Sequence, residues 1–438
     1  MNIRKTGPWW TAAVALALAG CASLASSPTA VGHGTGAHVN VPARSSPAVA
    51  KTAAAADAAR AQGRPFWLQS LQMTSAAVGW AFYYAGNPNS ASYPTLLLAR
   101  TTDGGRTWTD VTPAGARPLL ATPGGHALDA VDGDRAYVAV TGATEQSYTA
   151  VNTTRVFTTT DGGLTWADSA PLRAVSEASQ LSFADPENGW LMLGGNGGAM
   201  GQDPVWLYRT SDGGTHWSLA ATPAPTGSPS SGQESGQIPI TCDKNGLLFA
   251  TPTTGWIAST CNADLAKALL VSHDGGAGWG EQSLPPSSIG GLDTPGTVEG
   301  PQFVDGVGFL TVKPEPAGAS LLVTRDLGQS WQRLPLPGGL QYPQITFFSA
   351  SQGILVAGET QGAFGGTFYT TADGGRTWTP VPQGADLTRL GVTVDFASPS
   401  VGFAWTNGIA SIPVPPTTIY ATTNSGRTWH PFTPLLAA

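Results

Sequence analysis

Seven short side chains able to accept protons or hydrogen bonds recur along the chain: Asp103, Asp161, Asp212, Asp274, Asp326, Asp373 and Asn424. Successive members are 58, 51, 62, 52, 47 and 51 residues apart. So many carboxylates raise the question of acid–base hydrolysis, which needs two carboxyl groups facing each other across a scissile bond. Their surroundings point elsewhere. Each sits in the same local sequence, Thr102-Asp103-Gly104-Gly105-Arg106-Thr107-Trp108 in the first copy and Thr423-Asn424-Ser425-Gly426-Arg427-Thr428-Trp429 in the last. A short Asp or Asn accepts backbone N–H groups within its own turn. The last Gly of the triplet is kept in all seven copies while the middle position accepts Leu327 or Ser425, which implies a positive φ or a crowded backbone at the retained Gly. The Trp supplies an apolar plate to cover the turn. The motif reads as a repeated staple.

Outside these turns, carboxylates occur at Asp132, Asp134, Glu145, Glu177, Asp185, Glu187, Asp203, Glu234, Glu299, Asp305, Glu315, Glu359, Asp386 and Asp395. No spacing pairs any two of them as a catalytic dyad. Arg100, Arg155 and Arg209 stand in corresponding places in their repeats, which favours a structural or surface role over a substrate clamp. His126, His216, His273 and His430 are scattered, and neither a nucleophile elbow, a His-Glu-x-x-His pair nor a phosphate-cradling loop occurs. No catalytic residue, cofactor site or metal site is assigned.

The elements that must carry the turns are short strands. A second signature precedes each turn: Val78-Gly79-Trp80, Asn188-Gly189-Trp190, Thr254-Gly255-Trp256, Val307-Gly308-Phe309, Gln352-Gly353-Ile354 and Val401-Gly402-Phe403, with Arg135-Ala136-Tyr137 in the second repeat. Another apolar stretch lies upstream of most copies. Each unit therefore reads as four short strands, near 344–348, 353–358, 366–371 and 377–381 in the sixth, with little room for crossover helices. The first and last units lack the features of solenoid caps, so ring closure is expected. The expected fold is all-β, a seven-bladed β-propeller of four-stranded antiparallel blades.

These residues resemble the BNR or Asp-box repeat, broadly Ser/Thr-x-Asp-x-Gly-x-Thr-Trp, found in sialidases, other glycoside hydrolases, sortilin-type receptors and photosystem II assembly factors. The likeness covers residues 64–436 and is most similar in pattern to the assembly-factor-like group of bacterial exported proteins. The resemblance implies that each box joins the third and fourth strands of a blade, away from the central channel. The arginine triad and early Arg-Ile-Pro-like motif of sialidases have no counterpart; Arg64-Pro65-Phe66 is the nearest early sequence.

The N-terminus adds a location. Arg4 and Lys5 precede an apolar stretch from Trp9 to Ala19, which reads as an export signal over residues 1–20. Leu18-Ala19-Gly20-Cys21 resembles a lipobox, with Cys21 as the lipidated residue. Residues 21–63, rich in Ala, Ser and Pro, form the expected linker, and 64–438 the propeller. The formal charge is −7, with five Lys and 16 Arg, which argues against a broadly basic nucleic-acid surface.

Two cysteines remain. Outside the cytoplasm, Cys242 and Cys261 can form a disulfide; two separately buried thiols are the alternative. Of 15 Trp, seven end the recurrent turns, and Trp80, Trp190 and Trp256 belong to the second signature. Trp67, Trp206 and Trp405 fall outside both and are the candidate ligand contacts. Loops around 142–152, 194–204, 223–237 and 285–301 are the expected recognition segments. The leading expectation is a non-catalytic lipoprotein scaffold on the outer face of the bacterial cytoplasmic membrane or another envelope membrane. It would bind a protein partner in the envelope and no nucleic acid. The alternatives are a glycoside hydrolase or glycan-binding propeller, and a purely structural envelope protein.

Overall fold

The computed structural model describes residues 67–86, 95–121, 124–142, 152–174, 176–194, 202–224, 236–262, 265, 268–288, 294–315 and 318–338. It continues with 340, 342–360, 363–382, 387, 392–406 and 416–437, and adds a pairing of Pro8–Trp10 with Gly32–Gly34. Cys21, most of the segment 1–63 and much of the expected recognition loops lie outside the described residues. No helix among the described residues is long and apolar enough to cross a membrane.

The described chain is nearly all β. The first sheet runs Trp67–Met73, Gly79–Tyr84, Leu96–Thr101, Thr107–Asp110, and carries Leu435–Leu436 on its outer edge. The second is built on His126–Ala130, Ala136–Gly142 and Asn152–Thr159, the last pairing with both Ala167–Asp168 and Leu172–Ala174. The third comprises Ala178–Phe183, Gly189–Leu193, Trp206–Thr210 and Ser218–Pro223, with Gln237–Ile238 added in parallel. The last two sheets have four strands each, beginning at Gln344–Phe347 and at Val392–Phe396. The sixth repeat thus has strands at Gln344–Phe347, Gly353–Thr360, Ala363–Thr371 and Thr379–Val381.

Between the third sheet and these two, the expectation of separate four-stranded sheets meets a difference. The fourth and fifth repeats share one eight-stranded sheet, because Gly255–Cys261 pairs with Gly296–Val304 through Thr260↔Thr297 and Cys261↔Gly296. Gly296 stands between two strands, opposite both Cys261 and Pro314, and a Cβ there would lie 2.3 Å from Lys313 O, where a side chain would not fit. In the fifth repeat the hairpin turns through Asp305 and Gly306, with φ of 50° and 77°, the left-handed pair of a two-residue turn.

First strands adjoin from His126–Ala130 through Ala178–Phe183, Asp243–Phe249 and Gly296–Val304 to Gln344–Phe347, and Val392–Phe396 neighbours both Ala363–Thr371 and the first strand, Trp67–Met73. Side chains cross these junctions in one direction. Gln72 Oε1 accepts from Ala130 N, Asp129 Oδ2 from Phe183 N, Ser182 Oγ from Phe249 N, and Gln302 Oε1 from Phe347 N, over 2.8–3.2 Å. Each of these residues immediately precedes the one that faces the signature Gly or Ala of the second strand (Met73, Ala130, Phe183, Phe303). They satisfy edge N–H groups that would otherwise be buried without partners.

Aromatic rings fill the same junctions. Tyr137 stacks on Phe183 at 3.4 Å, Trp190 on Phe249 at 3.6 Å and Phe309 on Phe347 at 3.4 Å. Each accepting Phe then meets the Trp of its own repeat's turn edge-on: Trp217, Trp279 and Trp378. At about 25 cal/mol per Å² and 150–250 Å² per ring, each buried ring contributes up to roughly 4–6 kcal/mol before ordering costs. The Trp-rich composition is thereby placed between sheets.

Candidate functional site

The seven recurrent turns share one geometry. A hydroxyl two residues before the Asp or Asn (Thr101, Thr159, Thr210, Ser272, Thr324, Thr371 or Thr422) donates to its Oδ1 at 2.7–3.0 Å. The same hydroxyl oxygen accepts the N–H of the retained Gly at 2.8–3.0 Å. Oδ1 also accepts the N–H four residues on, from Thr107 to Thr428, at 2.8–2.9 Å. Oδ2 takes a hydroxyl proton from Thr107, Thr165, Ser330 or Thr377. Asp103, Asp161, Asp326 and Asp373 are thereby engaged at both carboxylate oxygens, whereas in the fourth turn Gly278 brings no hydroxyl to Asp274.

Their acidity follows. The Thr165 hydroxyl and N–H hold Asp161 at about 2, Ser330 and Thr324 do the same for Asp326, and Thr377 for Asp373. At Asp212 partial burial pushes upward, and the N–H and ring of His216 outweigh it, again giving about 2. A group held this acidic stays charged at neutral pH and is a poor proton donor.

Both glycine positions of each triplet have positive φ, including Leu327 at 54° and Ser425 at 62° where glycine is replaced. Retention of the last Gly therefore has a second cause beyond φ. A Cβ on Gly163, Gly276, Gly328 or Gly375 would lie 2.5–2.8 Å from Val111, Leu207, Trp256 or Leu321, side chains of the preceding repeat. Where the middle glycine is replaced, Leu327 is exposed and Ser425 Oγ donates to Pro399 O at 2.7 Å.

Trp405 is not a ligand contact. It is only 4% exposed and packs with Phe403 and Ile419 against Leu68, Leu97 and Trp108, at the seam where the last sheet meets the first. Its strand pairs Trp405 with Ile419, directing it into that core. Trp67 and Trp206 are partly exposed, each at the strand end remote from the recurrent turns; Trp67 lies opposite Tyr84.

The arginines divide. Arg100 donates to Gly133 O at 2.8 Å and pairs with Asp134 at 3.2 Å while its guanidinium covers Trp80; Arg209 likewise covers Trp190 at 5.4 Å. Arg155 does not occupy the corresponding place. Arg100 and Arg209 stand opposite Trp80 and Trp190, whereas the residue opposite Tyr137 is Thr158, which donates to Gly213 O. The longer third strand of the second sheet puts Arg155 three residues away, where it pairs with Asp168.

A further set of titratable groups lies toward the opposite strand ends. Glu177 begins the third repeat, with its carboxyl raised by burial and lowered in part by the Gly125 N–H. Glu299 holds Lys313 at 2.6 Å. Lys244 is fully buried, donating to Thr241 O at 2.6 Å, Cys242 O at 2.8 Å and Asp203 O at 3.4 Å, while Asp203 Oδ2 accepts its N–H at 2.8 Å. Burial holds this amine down to about 8 against the attraction of Asp203 and Asp243. Cys242 and Cys261 are joined by a disulfide beside it, with their α-carbons 4.5 Å apart. Among the described residues, no group of three His, Cys, Asp or Glu is arranged to hold a metal ion.

Sequence reasoning missed Lys244 and the inter-sheet acceptors. A signal for the latter existed: Gln72, Asp129, Ser182, Gln302, Thr346 and Asp395 are all polar just before the first-strand residue that faces the signature Gly or Ala, with Leu248 the exception.

Short antiparallel sheets in a succession that closes on itself make this a β-propeller protein. No protein-family model matches the chain, and no curated protein matches it. Several solved structures do. One is YCF48 from Cyanidioschyzon merolae, at 14% identity over 83% of this chain and 97% of that one, with a TM-score of 0.47. A structure of YCF48 bound to a D1 peptide has 14% identity, covers 83% and 92%, and scores 0.46. The GH74 xyloglucanase from Xanthomonas campestris has 17% identity over 85% of this chain, scores 0.49, and is matched over 54% of its own length.

Proposed function

We propose that the protein is an exported, non-catalytic binding and assembly scaffold, a seven-bladed β-propeller of four-stranded blades with Asp-box turns. In this reading Cys21 carries a lipid anchor and residues 21–63 hold the propeller off the membrane. The partner is another protein of the envelope. One observation carries the reading: the repeated carboxylates are consumed by local hydrogen bonds in their own turns. What remains at the opposite strand ends is a mixture of Trp67, Tyr84, Trp206, Glu177 and Glu299, drawn from separate sheets. Partly exposed aromatics and carboxylates at one set of strand ends suit recognition.

The test is affinity capture from solubilised membranes of the source cells, using the chain with its native N-terminus. A reproducible protein partner, lost on Trp67→Ala or Trp206→Ala while the fold is kept, is expected. Turnover of a polysaccharide by the purified chain would overturn the reading. Cys21→Ala should release the protein from the membrane fraction. A second reading, glycan binding, is favoured by the Trp67–Tyr84 pair at a strand end, and a glycan array separates it from the first.

A further inference from the structure

The outer edge of the first sheet is completed by a segment distant in sequence. Leu435–Leu436 lies parallel to Thr107–Asp110, in the register Leu435↔Thr107 and Leu436↔Trp108. Leu435 N donates to Arg106 O at 3.0 Å and Ala437 N to Trp108 O at 2.7 Å. The addition is made through main-chain atoms, and Pro434–Ala437 carries no charge. Both leucines are only partly buried. The chain uses the same mode elsewhere: Gln237–Ile238 adds in parallel to the outer strand Ser218–Pro223, with Ala224 N donating to Ile238 O at 2.8 Å. Parallel addition at an outer edge therefore occurs twice, on two sheets.

The seam around this segment has its own contacts. Leu68 N donates to the buried Thr417 hydroxyl at 2.8 Å, Arg106 lies over the Phe432 ring at 5.4 Å, and Trp405 joins the two cores. The closure would thus persist if residues 434–437 left the edge. A two-residue, partly buried strand held by two main-chain bonds and the packing of Leu436 against the first sheet's core belongs to the low-stability end of a fold, where local opening precedes global unfolding.

We propose that Thr107–Asp110 is a strand-accepting site and that residues 434–437 are a detachable clasp occupying it. The ligand class is an extended, uncharged peptide carrying two consecutive aliphatic residues and bound in parallel. The inference does not depend on the scaffold reading above.

Two measurements test it. In the full chain, hydrogen exchange at the Leu435 and Ala437 amides should run ~10-fold or more faster than at Ala81 and Phe82, and should not vary with low denaturant. Exchange at the core rate overturns the detachable clasp. Second, a chain ending at Thr433 is mixed with a synthetic peptide spanning Thr433–Ala438. Saturable binding, accompanied by a thermal midpoint that rises with peptide concentration, is expected. A peptide with both leucines replaced by Asp should do neither. Equal effects from the two peptides, or none from either, overturn the acceptor site. Should the shortened chain not fold, the exchange measurement still decides, because it uses the intact protein.

Discussion

A Cβ on Gly402 would lie 2.5 Å from Cε1 of Phe396, the residue directly across the hairpin. The same pairing joins Phe183 to Gly189, Phe249 to Gly255, Phe303 to Gly308 and Phe347 to Gly353. In the second sheet, the pair is Ala130 opposite Ala136. In the first sheet Met73 takes the place of the ring, its sulfur 2.2 Å from where a Cβ on Gly79 would lie. Glycine is kept where a large side chain lies over it and is replaced by Ala136 where only the methyl of Ala130 stands opposite.

Gly402→Ala should therefore cost more than ~2 kcal/mol, because a buried ring must move off its rotamer. In the second sheet, Ala130→Phe alone should destabilise strongly, while Ala130→Phe with Ala136→Gly should recover most of the loss. Urea denaturation of the four chains in a double-mutant cycle measures the coupling, expected at ~1–3 kcal/mol.

The two positive-φ positions in the recurrent turns should respond oppositely. Leu327→Gly relieves a left-handed conformation worth about 1–2 kcal/mol and gives back part of that through unfolded-chain entropy, so stability should rise by up to ~1 kcal/mol. Gly328→Ala, with φ of 81° and Trp256 2.8 Å from the new Cβ, should fall by several kcal/mol. Thermal midpoints of the two single variants decide the point.

Acid should weaken the turns. Asp161, Asp212, Asp326 and Asp373 are held at about 2, below the ordinary carboxylate value of 3.8. Their contribution is present above about 4 and is lost as pH falls through the window toward 2. Denaturation midpoints between pH 5 and pH 2 should drop, and Asp373→Asn should flatten the slope. Asn424, whose Oδ1 already accepts the Thr428 N–H, is the native precedent for that substitution.

Lys244 gives a slope of the same direction in a higher window, through disfavour of its charged form. Its folded value of about 8 lies below the ordinary 10.5, so the unfolded chain binds the proton more tightly between those limits. The wild type should gain stability relative to Lys244→Met as pH rises from about 8 to 10.5, and the difference should be flat below 8. A difference curve falling with pH would contradict the buried, carbonyl-caged amine.

Breaking the disulfide beside it should cost about 3 kcal/mol, the loop-closure value for a crosslink spanning roughly 20 residues. The double variant Cys242→Ser with Cys261→Ser, followed by urea denaturation, gives the number. The contacts of Lys244 with the Thr241 and Cys242 carbonyls make the loss local to the fourth repeat.

Repeat order, strand positions and the local role of the box-like Asp residues were legible in the sequence because each depends on residues within a few positions of one another. Thr371, Asp373, Gly375 and Thr377 interact inside one turn, so their spacing carries the geometry. Trp405 was not legible: strand alternation shows neither its facing direction nor that residues more than 300 positions away, such as Leu68, complete its core. The fused fourth and fifth repeats escaped for a similar reason, since Cys261 opposite Gly296 is a tertiary pairing. Lys244 was hidden because its partners are main-chain carbonyls, which every residue possesses.

The inter-sheet acceptors give the molecule a polarity. Gln72, Asp129, Ser182 and Gln302 each reach forward, so every such junction is a head-to-tail contact between a giving and a receiving surface. Head-to-tail contacts do not count their own members: they continue as a filament or close as a ring according to the rotation between units. The number of repeats is therefore a property of accumulated angle, decided where Leu68 meets Thr417. It also follows that a chain cut between two repeats would expose one giving and one receiving surface, the two halves of an interface built to find each other.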